Sequence, residues 1–267
     1  MKNIVSAPMN QVYSREYVEA CIDADITPGI FMGKDCSIPE EDLIDFKDYL
    51  YVSLPMVLLM NNYINKIKKY NFKTIEIIGG VWARNLGSNI PEVVDICNKI
   101  QDDGTKVVFK NWRPEIAPII LCKGNEGAGR TSNDSLFKRF NDLKSEYPNK
   151  EILVSGGIYS STQVKYYLTN GATACFIGTL FASCKESPLC LEAKQVLIKA
   201  AYSHTKKFPQ NGLQLSNFKK IDFNNTKELR TGVTTGKSGV IYAGRALDFI
   251  KEIRPLKDIV NDLRSEL

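Results

Sequence analysis

The 267-residue chain has 43% hydrophobic and 24% charged residues, close to ordinary globular proteins, which excludes disordered and fibrous classes and matches a single barrel-sized domain. Its net charge of +5 is spread over acid-paired stretches such as LFKRFNDLKSE, with no arginine-rich arm, zinc spacing or RNP-like strand, so no nucleic-acid partner is expected. No apolar run reaches the ~18 residues of a membrane span, and MKNIVSAPMNQ lacks a signal-peptide core, so the expectation is a cytoplasmic protein without membrane association.

Short β-branched runs alternate with amphipathic stretches, the pattern of βαβ units. In chain order the strands are Asn3 to Ser6, Thr27 to Met32, Leu50 to Leu54, Thr74 to Ile78, Lys106 to Phe109, Pro118 to Cys122, Ile152 to Ser155 and Ala174 to Ile177. Eight strands is the number that closes a TIM-type (β/α)8 barrel, the α/β fold class expected here. Helices fit Arg15 to Ala24, Pro39 to Phe46, Leu58 to Tyr70, Pro91 to Asp102, Ser135 to Tyr147, Ser161 to Asn170 and Leu191 to Thr205. Ser14, Pro91 and Ser160 or Ser161 mark helix starts. Only NWRPEIA separates Phe109 from Pro118, so that crossover helix is shortened to a turn. The organisation expected is one domain over 1–267, with 190–267 a helical and loop extension in which the strand pattern stops. The tail PLKDIVNDLRSEL is amphipathic and should pack on the barrel or on a partner; the strip Ile250, Ile253, Leu256 and Ile259 makes a homo-oligomer the partner to test.

Seven scattered cysteines, Cys21, Cys36, Cys97, Cys122, Cys175, Cys184 and Cys190, form no C-x-x-C pair and are expected to be reduced thiols. Cys122, at a strand end, is a buried inert thiol or, less simply, a nucleophile. His204, the sole histidine, lies beyond the barrel, where a helix-end cap is the simpler role than catalysis.

The segment from Ile152 to Ser183, ILVSGGIYSSTQVKYYLTNGATACFIGTLFAS, carries the chemistry. One strand ends in Gly156-Gly157 and the next in Gly178-Thr179, each running into a helix. A single glycine pair is explained by a tight turn. Two such turns after the seventh and eighth strands point instead to a phosphate held by backbone amides. No strand-linked G-x-G-x-x-G is present, so a ligand with one terminal phosphate is expected rather than a dinucleotide.

These residues resemble the nitronate monooxygenase family and the related flavin-dependent enoyl-acyl-carrier-protein reductases. VSGGI followed by GATACFIGTLFAS is similar to the family's A-A-G-G-I and G-A-x-x-V-x-x-G-T-x-F-L pair, which holds FMN phosphate. Ser6-Ala7-Pro8-Met9 is similar to its opening A-P-M, CKESP to an E-S-x after the barrel, and GKSGVIYAGRALDFIKEIRPLKDIV to its closing motifs. A-P-M is shared with tRNA dihydrouridine synthases, which carry an added helical RNA-binding domain with a basic face; no segment of these 267 residues is long enough to be expected to form one. KGNEGAGRTS is similar to the family's Q-G-x-E-A-G-G-H-R-G, with Gly124, Glu126 and Gly129 agreeing, Lys123 in place of Gln and Arg130 in place of the catalytic His. Ser53 stands where the family usually has Asn.

The resemblance implies an FMN-dependent oxidoreductase acting on a small organic substrate, with nicotinamide or oxygen as co-substrate. Its alternatives are a flavin-dependent enoyl-thioester reductase and a flavin- or phosphate-binding subunit without turnover. The implied cofactor-binding residues are Ala7, Pro8, Met9, Ser53, Lys123, Gly129, Gly156, Gly157, Gly178 and Thr179; the candidate catalytic residues are Arg130 and Lys123; no metal is expected. An arginine stays charged near neutrality, so Arg130 cannot exchange protons as histidine does. It would instead clamp an anionic substrate or stabilise negative charge on reduced flavin, or is an ordinary surface arginine. Trp82, Arg84 and Trp112 occupy loops where they would flank substrate or pack in the core.

Overall fold

The computed structural model describes residues 1–33, 38–55, 64–78, 90–102, 104–110, 113–129, 131–208, 212–216 and 239–267. Within them the chain order is β1 (Ile4–Ser6), α1 (Arg15–Asp23), β2 (Gly29–Phe31), α2 (Glu40–Phe46), β3 (Tyr51–Pro55), α3 (Ile64–Tyr70), β4 (Thr74–Ile78), α4 (Ile90–Gln101), β5 (Lys106–Lys110) and β6 (Ile119–Lys123). Then follow α5 (Leu136–Glu146), β7 (Glu151–Ser155), α6 (Ser161–Thr169), β8 (Ala174–Ile177), α7 (Thr179–Ala182) and α8 (Leu191–Lys199). The carboxyl-terminal part holds β9 (Thr205–Phe208), β10 (Gly212–Ser216), β11 (Val240–Ile241) and α9 (Leu256–Arg264).

Strands β2 to β8 pair successively in parallel, and β1 joins β8 with Ile4 opposite Cys175. The remaining gap is bridged by Val5 and Thr27, through Ser6 N–H to Thr27 O at 2.9 Å and Thr27 N–H to Ile4 O at 3.1 Å. The expected eight-stranded barrel is therefore present, and its strands lie within a few residues of the positions read from the sequence.

Alternation along each strand divides the core in two. Val5, Tyr51, Val108, Leu121, Leu153 and Phe176 pack inside the barrel, with the Tyr51 and Phe176 rings edge-on at 4.8 Å. Their neighbours Val52, Ile75, Phe109, Cys122 and Val154 face the helical layer. Ser14, Ser135 and Ser160 cap α1, α5 and α6 by accepting from the amides of Tyr17, Lys138 and Gln163. As expected, a turn replaces the helix between β5 and β6: Arg113 has φ of 43° and its carbonyl accepts from Ala117 N–H at 3.0 Å. The first six residues of the expected Leu58 to Tyr70 helix lie outside the described residues.

The extension departs from expectation. The helix starting at Leu191 ends at Lys199 rather than Thr205, because Ala200 is extended, and Tyr202–His204 form a separate 3-10 turn. Strands do not stop after the barrel: β9, β10 and β11 form an antiparallel sheet. TKKF and GLQLS are short and polar and lack an apolar alternation long enough to mark them as strands in the sequence. His204 stays in its own turn, its Nδ1 accepting from Ala201 N–H at 3.2 Å.

Helix α9 packs on α1 and α6. Ile250, Leu256 and Ile259 of the apolar strip are buried by the chain itself, and Ile253 is half-buried. No helix among the described residues is long and apolar enough to cross a membrane.

Candidate active site

The carboxyl ends of the barrel strands surround a cavity of about 320 Å³, the end where (β/α)8 barrels carry their sites. Its wall is built from Ala7, Pro8 and Met9 after β1, the glycine turns after β7 and β8, and the loop after β6.

The two glycine turns differ in kind. Gly156 and Gly157 have φ of +95° and +84°, and a Cβ would meet Gly124 O at 3.0 Å in the first and Glu126 Cβ at 2.9 Å in the second, so the turn itself requires glycine. Gly178 does not: its φ is −110°, and a Cβ would lie at ordinary contact distances of 3.6 Å from Ala7 Cβ and 3.7 Å from Met9 Sδ. Its missing side chain instead leaves space in the cavity. The amides of Gly178 and Thr179, which open α7, donate no hydrogen bond among the described residues. Room beside open amides is what an anionic oxygen needs.

Charged side chains line the same cavity from β4, β5 and β6. Glu76 is fully buried and accepts from Tyr51 Oη at 3.0 Å, Ser53 Oγ at 2.8 Å and Lys110 Nζ at 3.1 Å. Burial, reinforced by Glu76, pushes the Tyr51 phenol well above its ordinary range, keeping it a donor. Lys123, at the end of β6, donates to Ala128 O. Burial, with Lys110 adding to it and Glu76 opposing, pulls the Lys123 ammonium down to about 7.

The carboxyl-terminal segment closes the remaining side. Gly244 N–H donates to Thr179 Oγ1 at 3.1 Å and Arg245 N–H to Glu126 O at 2.8 Å. A Cβ at Gly244 would stand 2.4 Å from Glu126 O, so glycine permits this close approach. Tyr242 and Arg245 thereby reach the cavity; the Arg245 guanidinium also lies over the Tyr202 ring, 5.3 Å from its centre.

Of the candidates read from the sequence, Ala7, Pro8, Met9, Lys123, Gly129, Gly156, Gly157, Gly178 and Thr179 all line the one cavity. Ser53 does not; it stands behind Glu76 as a hydrogen-bond donor. Arg130, Trp82, Arg84 and Trp112 lie outside the described residues. Cys122 faces the helical layer, and burial pushes its thiol up to about 12, which leaves no nucleophile. Glu76, Lys110, Tyr242 and Arg245 were missed. A signal existed for the first two: in TIEII and KVVFK, period-two alternation points Glu76 and Lys110 to the same face as Tyr51 and Lys123.

No protein-family profile and no curated protein matches the chain. Similar folds occur among solved structures. FabK from Thermotoga maritima superposes with a TM-score of 0.78 at 19% identity, over 99% of this chain and 92% of that one. A nitroalkane oxidase from Streptomyces ansochromogenes gives 0.69 at 14%, over 100% and 96%. The enoyl reductase domain of MlnA from Bacillus amyloliquefaciens gives 0.67 at 11%, over 100% and 94%. At these identities the likeness establishes the fold, a (β/α)8 barrel shared along essentially the whole chain.

Proposed function

We propose that this chain is a flavin-dependent oxidoreductase that holds FMN by its phosphate and acts on a small, anionic organic substrate. One observation carries the reading: Gly178, whose backbone does not require glycine, faces the cavity beside the open amides of Gly178 and Thr179. That cradle fits a terminal phosphate, which Gly157, Gly178 and Thr179 would hold while Ala7, Pro8 and Met9 lie along the ring. The fold likeness to a nitroalkane oxidase and an enoyl reductase domain supports the same reading. Bound FMN would supply the electron-transfer chemistry, with nicotinamide or oxygen as co-substrate.

The chain's own residues favour an anion beside the cofactor. Among the described charged side chains lining the cavity, the cations Lys110 and Arg245, with Lys123 partly protonated near neutrality, outnumber the single carboxylate Glu76. Residues 241, 242 and 244–246 line the cavity and Arg245 N–H bonds to Glu126 O, which supports reading this segment and the barrel as one functional unit. The six described cysteines are free thiols, five of them buried, which fits a reducing compartment such as the cytoplasm.

The purified protein is expected to be yellow and to release FMN on denaturation. Gly178→Val should fold but lose most of its flavin, because two methyl groups would fill the phosphate space. Absorbance and chromatography of the released cofactor measure both, and a colourless protein that takes up no FMN on reconstitution would count decisively against the reading.

Arg130 is assigned the anion clamp on sequence grounds. A guanidinium binds through two parallel N–H donors and an ammonium cannot, so Arg130→Lys should slow substrate-driven bleaching by tenfold or more, on the order of the ~1.4 kcal/mol lost with one charged hydrogen bond. Equal rates and equal affinity in the two proteins would make Arg130 a surface residue.

A further inference from the structure

We propose that Gln163 is the positioning residue of the turn after β7: its carboxamide splints residues 157–159 and keeps the Ile158 amide open to an anionic oxygen. The inference rests on reading the cavity as a site for a phosphate-bearing flavin. It deepens that reading by naming a residue outside the cavity that sets the preference for a phosphorylated over an unphosphorylated flavin.

Gln163 is the third residue of α6, after the cap residue Ser160. A Ser-x-x-Gln pair at this place ordinarily closes a capping box, in which the glutamine side chain returns to the amide of the serine. Among the described residues only the other half is made, with Gln163 N–H donating to Ser160 Oγ at 3.3 Å. The carboxamide reaches past the cap instead. Its Oε1 accepts from Tyr159 N–H at 2.8 Å, with Ser160 Oγ at 3.4 Å, and its Nε2 donates to Gly157 O at 3.2 Å. Bonded to an N–H at one end and a C=O at the other, it imitates the peptide group of a neighbouring strand, and only one orientation of the amide satisfies both. The bonds to 157 and 159 serve the turn, since both partners precede the helix.

The consequence falls on Ile158. In a trans peptide the C=O and N–H point in opposite directions. With Gly157 O held toward Gln163, the Ile158 N–H of the same peptide points away from it. That amide donates no hydrogen bond among the described residues. Gly157 and Ile158 line the cavity and Gln163 does not. A turn built on Gly156 and Gly157 has little stiffness of its own. If the Gly157–Ile158 peptide flipped, it would present a carbonyl oxygen where it now presents a donor, and an acceptor repels a phosphate. Tyr159 gives the splint a fixed end, because its ring stacks on Phe249 with centroids 3.7 Å apart and planes inclined by 10°.

The test compares FMN with riboflavin, which differ only in the phosphate, titrated by fluorescence into the full-length protein after its own flavin is dialysed away. Wild type should bind FMN more tightly than riboflavin. Gln163→Leu removes both bonds to the turn and should weaken FMN binding by about tenfold or more, the size of one lost hydrogen bond to a charged group, while riboflavin binding stays unchanged. Gln163→Glu keeps the acceptor for Tyr159 but sets a carboxylate oxygen against Gly157 O, and should weaken FMN at least as much. A residue that merely supports the fold would weaken both flavins alike, and that result overturns the proposal. Amide hydrogen exchange of the flavin-free proteins supplies a readout independent of any cofactor. In Gln163→Leu the stretch 157–163 should exchange faster while the rest of the barrel does not change; exchange equal to wild type overturns the proposal. Should Gln163→Leu exchange faster throughout the barrel, the nearly isosteric Gln163→Glu decides by the same flavin comparison. A wild type that binds the two flavins equally refutes the phosphate reading, and the role of Gln163 falls with it. A wild type that prefers FMN, with variants that keep the preference, refutes the role of Gln163 alone.

Discussion

Glu76→Leu is expected to destabilise the barrel by about 3–5 kcal/mol, the usual cost of removing one partner from a buried ion pair. Glu76 is wholly buried and accepts from three donors, and its removal would leave Lys110, 14% exposed, with an uncompensated charge, and the Tyr51 and Ser53 hydroxyls without their acceptor. Each of those losses is costly inside a low-dielectric lumen. Removing both charges at once, as Glu76→Leu with Lys110→Met, should recover a large part of the loss, because no unpaired charge then remains. Urea unfolding of the two proteins against wild type measures this. A single variant as stable as wild type, or a double variant less stable than the single one, would mean that Lys110 finds another partner and that the pair does not organise the lumen.

The second large effect is expected at Gly244. An added methyl group would stand 2.4 Å from Glu126 O and 3.0 Å from Ala128 N, both backbone atoms that cannot rotate away. The segment must lift, breaking the bonds from Gly244 N–H to Thr179 and from Arg245 N–H to Glu126. Gly244→Ala should therefore lose most of its bound flavin during gel filtration, at a stability cost of about 1–3 kcal/mol, the range for overpacking. It should also be cleaved faster than wild type by protease between residues 239 and 249. Full flavin retention together with unchanged cleavage would show that this segment does not close the cavity.

The barrel was legible because its signal is repetitive. Runs such as TIEII and EILVS are short, β-branched and separated by capped helices, and parallel pairing asks nothing further of them. Ser14 and Ser160 announced helix starts because their side chains satisfy amides no backbone carbonyl can reach. The β9 to β11 sheet was not legible, since its strands depend on one another and a strand such as GLQLS, flanked by polar residues, carries no local mark of its partner. In the site, the glycine turns were found by their spacing, yet only three-dimensional crowding distinguishes Gly156 and Gly157, which serve the turn, from Gly178, which leaves space. Ser53 was read as a ligand contact because the resemblance supplied that role, whereas in this chain the lumen holds Glu76 and the hydroxyl turns to it. Glu76 itself passed unnoticed as one acid in an apolar strand. A carboxylate on the lumen face of a barrel strand has no solvent to meet, and that alone calls for partners on the neighbouring strands.

The pairing of β1 with β8, and of α1 with α9, joins the two ends of the sequence. On the ribosome, Ile4 must wait for Cys175, its partner in register, before the first strand acquires its second neighbour. At ~5–20 residues per second, that is an interval of about 9–34 seconds in which an apolar edge stays open to a chaperone or to another nascent chain.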